Sequence, residues 1–272
     1  MTKINETFQK LKTRGEAALI GYLTAGDPEL QYTPKIAEAL IKGGVDILEL
    51  GLPFSDPIAD GPTIQSASVR ALQAGTTPRK VLDTAKEIRQ VHDVPVVIMT
   101  YYNPVFKMGL DNFFRLAKSC MVDGVIVPDI PFEEAADYKQ AANACGVDTI
   151  FLAAPSTSAE RLPKIVECSS GFLYLVSHFG VTGAKAAVED STIQLVKHVL
   201  PFTRGHVPLA VGFGVSKPEH VRCIAEAGAD GVIVGSAFVN IIAKNQGNVD
   251  KMLGELGELA RKLKAATRCI NK

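Results

Sequence analysis

Val45-Asp46-Ile47-Leu48-Glu49-Leu50-Gly51-Leu52-Pro53-Phe54-Ser55-Asp56-Pro57-Ile58-Ala59-Asp60-Gly61-Pro62-Thr63-Ile64 runs from an apolar segment into a stiff acidic loop. Val45, Ile47, Leu48 and Leu50 form a run short enough for a strand buried on both faces. Glu49 sits inside it. A carboxylate in a buried strand costs roughly several kcal/mol unless it is paired, hydrogen-bonded or protonated. Gly51, Pro53, Pro57, Gly61 and Pro62 then build a loop that carries Asp56 and Asp60. A buried acid at a strand's end, followed by two acids on a stiff loop, fits an acid/base site. Asp before Pro or Gly is also common turn chemistry, so Asp56 and Asp60 have a structural reading as well.

Outward from this strand the same beat recurs. A short amphipathic helix at about 3–14, with Ile4, Phe8 and Leu11 at helical spacing, precedes the first strand, 17–23. Further apolar runs at 94–100, 124–127, 148–153, 172–176, 207–211 and 231–234 bring the count to eight strands, each followed by helical pattern. A long loop is expected over 178–189, with a helix from 191 to about 202. Eight right-handed β-α steps over 272 residues predict an α/β fold, a single-domain (β/α)8 TIM barrel over residues 1–272 with an extra N-terminal helix. An open doubly wound sheet is the alternative; the lack of a GxGxxG after the first strand counts against it.

Lys plus Arg and Asp plus Glu number 29 each, so the net charge is zero and nothing points to nucleic acid or an anionic membrane as partner. Five widely spaced cysteines without a CxxC, and five histidines without HxxxH or HxH, give no metal or disulfide framework. The polar start lacks a signal-peptide core, and no apolar run approaches the roughly 18 residues that span a bilayer; a cytoplasmic protein is expected.

The unusual polar residues gather at the predicted C-terminal strand ends, which in a barrel meet at one face. Gly212-Phe213-Gly214 follows the seventh strand, and Gly235-Ser236 follows the eighth and opens a helix. Glycines admit an anion close to the backbone, and a helix start offers free N–H groups, so a small phosphate ester is the expected substrate. A lone Gly-Ser at a helix start is also an ordinary cap.

Leu48 to Gln65, the segment Gly180-Val181-Thr182-Gly183, Gly212-Phe213-Gly214 and Gly235-Ser236 together resemble the tryptophan synthase alpha chains, over nearly the whole sequence. The resemblance implies a lyase that cleaves indole-3-glycerol phosphate to indole and glyceraldehyde 3-phosphate in tryptophan biosynthesis. It implies Glu49 as catalytic acid/base and Asp60 as second catalytic carboxylate. Phosphate falls to Gly183, Gly212, Gly214, Gly235 and Ser236. Tyr22, Thr100, Tyr102, Tyr174, Thr182 and Phe213 line the indole pocket and its loops, while Phe54 and Asp56 face the partner. That partner is a beta chain, in an alpha2-beta2 heterotetramer; pyridoxal phosphate belongs to the beta chain, and this chain needs no cofactor or metal. The sequence has His178 where some relatives have Arg, and Lys185 where many do. Other readings are a different phosphate-binding barrel, such as an isomerase or indole-3-glycerol phosphate synthase, a regulatory subunit without turnover, and a lyase that works alone. The synthase uses a strand lysine, and no predicted strand here carries one.

Overall fold

The computed structural model describes residues 1–177, 185–212 and 214–268, with the side chains of 185–190 outside that description. The apolar runs become β1 (Ala18–Thr24), β2 (Ile47–Gly51), β3 (Val96–Met99), β4 (Gly124–Ile126), β5 (Asp148–Ile150), β6 (Leu152–Ala153), β7 (Leu173–Val176), β8 (Leu209–Gly212) and β9 (Gly231–Val234). All pair in parallel, in the order β5-β4-β3-β2-β1-β9-β8-β7-β6. The two outermost strands are consecutive pieces of one segment, 148–153. β5 pairs with β4 and β6 with β7, so the sheet closes on itself through Phe151, whose carbonyl accepts from Tyr174 N–H at 3.0 Å. The expected fifth strand is therefore two short ones, because the chain changes neighbours at Phe151. The barrel has eight staves, as the sequence reading expects.

Residues alternate across the wall as strand geometry demands. Ala18, Ile20, Ile47, Val97, Ile126, Ile150, Phe172, Ala210 and Ile233 fill the lumen, and Leu19, Leu48, Leu50, Val96, Ile98, Leu209 and Val211 pack outward under the helices. The N-terminal helix Lys3–Thr13, capped by the Thr2 hydroxyl, buries Ile4, Phe8 and Leu11 among the lumen residues and plugs the N-terminal end of the barrel.

At that end one αβ turn recurs. A left-handed residue stops the helix at Gly44 (φ 107°), Met121 (φ 58°), Gly146 (φ 62°) and Gly228 (φ 105°). A buried Val or Ala follows, then an aspartate: Asp46, Asp123, Asp148, Asp230. Three of these carboxylates reach the first N–H groups of the preceding strand: Leu19 N–H to Asp46 at 2.8 Å, Val96 N–H to Asp123 at 2.9 Å, and Leu209 N–H to Asp230 at 2.9 Å. Each bond ties two neighbouring staves in register. Asp46 is also paired with Lys264 on the C-terminal helix Val249–Ala266, at 2.9 Å.

Two elements differ from the expectation. Tyr102–Met108 is a helix in a segment to which the sequence reading assigns no element; Pro104 lies in its first turn, where no N–H is required. The helix expected from 191 begins at Lys185, within the segment read as loop, since Ala186 and Ala187 favour helix.

Candidate active site

Strand parity puts Glu49 on the lumen face, directly above Ile47, and pairs it with Tyr22 across β1 and β2. Its residue is 1% exposed, and its Oε2 meets no hydrogen-bond partner among the described residues. Burial, and then the negative charge of Asp60, push its carboxyl up to about 8. Asp60 stands half-buried at the end of the loop after β2. Burial raises its carboxyl to about 6, and the Tyr101 hydroxyl, hydrogen-bonded to it, opposes that rise. Glu49 thus feels the charge of Asp60, and among the described residues neither carboxyl has a basic partner in an ion pair.

Aromatic rings complete the mouth. Tyr22 is buried, its hydroxyl 3.1 Å from the Thr24 hydroxyl, and burial plus the Asp60 and Glu49 charges raise its phenol. Tyr174, on β7, is raised by burial and then by Glu49, Tyr22 and Asp60. Both rings lie over strand-end glycines. A Cβ on Gly51 would come 2.2 Å from the Tyr22 hydroxyl, and one on Gly212 would come 2.7 Å from the Tyr174 ring. A Cβ on Gly235 would likewise meet Tyr22, at 3.3 Å. Ile64, Ala67, Met99 and Val239 form the apolar surround of Tyr22.

The structure brings together Glu49, Asp60, Tyr22, Tyr174, Gly212 and Gly235 at one end of the barrel. β8 and β9 are neighbours, so the ends that carry Gly212 and Gly235 lie side by side; Gly214 (φ 74°) follows the first, and Ser236, exposed, begins the helix Ser236–Lys244 after the second. Thr100 is buried, and its hydroxyl donates to the Tyr101 carbonyl at 3.3 Å. Phe54 stacks on Tyr101 with ring centroids 5.4 Å apart, and Asp56 is exposed. Thr182, Gly183 and Phe213, with Gly180, Val181, His178 and the Lys185 side chain, lie outside the described residues.

Tyr102 and Tyr101 differ in place. Tyr102 donates its N–H to Asp129 at 2.9 Å and turns its ring to Phe106, 6.0 Å away. Tyr101 is the one that meets Asp60, and its hydroxyl also accepts from Ala59 N–H at 3.0 Å. Tyr101 is not among the site residues expected from the sequence. The signal was parity: 97, 99 and 101 share a face, whereas 102 starts a helix.

No group of three or more His, Cys, Asp or Glu among the described residues is arranged to hold a metal ion. None of the described helices is long and apolar enough to cross a membrane.

A model of the family described as tryptophan synthase alpha chain matches residues 8–268. The chain belongs to that family. It is 47% identical over 249 residues to the tryptophan synthase alpha chain of Methanothermobacter thermautotrophicus, covering 92% of each. With the alpha chain of Methanosarcina acetivorans it shares 49% identity over 263 residues, 97% of this chain and 93% of the relative. The solved tryptophan synthase subunit alpha of Legionella pneumophila superposes with a TM-score of 0.90 at 35% identity, over 98% of both chains. A chain of the Pyrococcus furiosus tryptophan synthase complex gives 0.83 at 41% identity, over 92% of this chain and 98% of that one. The alpha-chain fold, a (β/α)8 barrel, is the one described above.

Proposed function

We propose that Glu49 and Asp60 carry out, in this chain, the lyase reaction of the alpha-chain family: cleavage of indole-3-glycerol phosphate to indole and glyceraldehyde 3-phosphate. The observation that carries this reading is the buried Glu49 carboxyl, whose Oε2 has no partner among the described residues and which lies within the field of Asp60. With pKa values of about 8 and about 6, the pair is protonated on Glu49 and ionised on Asp60 near pH 7. Two environments thus divide acid and base work between two like groups.

The bond to break joins indole C3 to the glycerol chain. Glu49 gives its proton to C3, and the ring becomes an indolenine cation. Asp60 accepts the ring N–H hydrogen bond and stabilises the positive charge that builds there. The Glu49 carboxylate then takes the proton of the adjacent side-chain hydroxyl. That carbon becomes the aldehyde, and the C–C electron pair returns to the ring. One proton enters and one leaves, so Glu49 ends as it began. Tyr22 and Tyr174 offer flat walls for the indole, with Thr182 and Phe213 assigned to the same pocket and its loops, and the phosphate falls to Gly212, Gly214, Gly235 and Ser236 at the ends after β8 and β9, together with Gly183. Thr100 and Tyr102 belong to the rim that follows β3.

The barrel, read as one domain over 1–272, works in the cytoplasm with a beta chain that holds pyridoxal phosphate, in an alpha2-beta2 assembly. Ile58, 83% exposed on the loop after β2, and Phe106, 63% exposed on the helix after β3, support an apolar contact there, with Phe54 and Asp56 beside them. Indole release from indole-3-glycerol phosphate, measured with and without a beta chain, tests the reading. Glu49→Gln and Asp60→Asn each lower the rate by about 10²-fold or more. Glu49→Gln at more than a tenth of the parent rate rejects it.

A further inference from the structure

The helix Pro62–Gln73 begins two residues after Asp60, yet few of its residues are buried: Ala67, Ser68 and Ala71. Small side chains bury little apolar area, so this helix has a weak hydrophobic hold on the barrel. Its far end is fixed differently. Arg70 makes a bidentate pair with Asp27, Nε to Oδ1 at 2.7 Å and a terminal nitrogen to Oδ2 at 2.8 Å. The Asp27 side chain is fully buried in the turn after β1. That turn is itself pinned. Gly26 N–H donates to the Thr33 hydroxyl at 3.0 Å, and Ala25 N–H donates to the Gly51 carbonyl at 2.9 Å. Gly51 lies two residues beyond Glu49 on the same strand.

The chain of contacts therefore runs from the helix that follows Asp60, through Arg70 and Asp27, to the strand of Glu49. We propose that the Arg70–Asp27 pair positions Asp60 opposite Glu49, so that Arg70 is a positioning residue of the reaction. The inference rests on the reading of Glu49 and Asp60 given above. A planar guanidinium bonded at two points fixes both the distance and the rotation of the helix; a lysine keeps the charge and loses the fork. A shift of about 1 Å at a reacting group can cost 10²-fold in rate.

The test is a double-mutant cycle on the full chain with its beta chain present, using Arg70→Lys and Asp60→Asn singly and together. Arg70→Lys lowers kcat for indole release by about ten- to a hundredfold and leaves KM within about threefold. In the Asp60→Asn background the same substitution changes kcat less than about twofold, because the group it positions is gone. Asp27→Asn, which keeps the side chain's size and a carbonyl acceptor, repeats the pattern and serves if Arg70→Lys does not fold. A full kcat loss from either variant in both backgrounds, or no loss in either, overturns the positioning role. Asp60→Asn with parent activity overturns instead the site reading beneath it.

Discussion

Replacing Tyr101 with Phe removes one hydroxyl and keeps the ring that stacks on Phe54. That hydroxyl accepts from Ala59 N–H and bonds the Asp60 carboxylate, which it holds below the value that burial alone would give. Without it the Asp60 pKa rises from about 6. A hydrogen bond to a charged group contributes about 1.5–3 kcal/mol, and one pH unit corresponds to about 1.4 kcal/mol. Asp60 is half-exposed, so water replaces part of the bond, and the expected rise is about one unit. The reaction needs Asp60 ionised and Glu49 protonated. Activity is therefore lost below the first pKa and above the second, and kcat/KM against pH is a bell with limbs near 6 and 8. In Tyr101→Phe the acid limb moves to about 7 and the alkaline limb stays. At pH 6 the variant loses about fivefold more than it does at pH 8. Initial rates of indole release from pH 5 to 9, taken as the ratio of variant to parent, read this directly; the ratio cancels the titration of the substrate phosphate, which lies near 6. An acid limb that stays in place or moves down, in a folded variant, refutes the assignment of that limb to Asp60.

Glu49 also bears on stability. Its pKa rises from 4.5 to about 8 on folding, so the folded state holds that proton more tightly; the contribution is full below 4.5 and is lost as pH rises through 8. Urea titrations should show stability falling over that window by a few kcal/mol in the parent and much less in Glu49→Gln; equal slopes would show that Glu49 is not the buried titrating group. Asp46→Ala removes the bond to Leu19 N–H and leaves Lys264 short of one of its two carboxylate partners, Glu16 remaining. A loss of about 2–3 kcal/mol in chemical unfolding is expected, and a loss under about 0.5 kcal/mol would mean that the bond adds nothing to stave register. Met121 holds φ 58° where the three matching turns use glycine. Met121→Gly should raise stability by about 0.5–1 kcal/mol, and a lowered thermal midpoint would show that its side chain contributes more than its backbone strain costs.

Much of this molecule was legible in one dimension. A run such as Ile47 to Leu50 specifies a strand buried on both faces, and eight such runs alternating with amphipathic segments specify the barrel, because both periods are properties of neighbouring residues. Closure then brings every strand end to one rim, so Glu49, Asp60, Gly212 and Gly235 could be set at a common site by counting. The turn that repeats before β2, β4, β5 and β9 is also written in the chain, as Val-Asp or Ala-Asp after a helix stop. Its meaning lies in the neighbouring strand that Asp46, Asp123 and Asp230 reach.

What only the folded chain decided are the contacts between segments. Tyr101 reaches Ala59 across 42 residues and Arg70 reaches Asp27 across 43. Parity along β3 favours Tyr101 over Tyr102 as the partner of Asp60 only once it is known where β3 stops and the next helix begins, and that is set by the folded chain. The switch of neighbours at Phe151 has the same origin, since it depends on where β4 and β7 stand on either side. Periodicity fixes which way a side chain faces; the element across from it is set by the closed sheet, and with it the burial that lifts Glu49 and the hydroxyl that steadies Asp60.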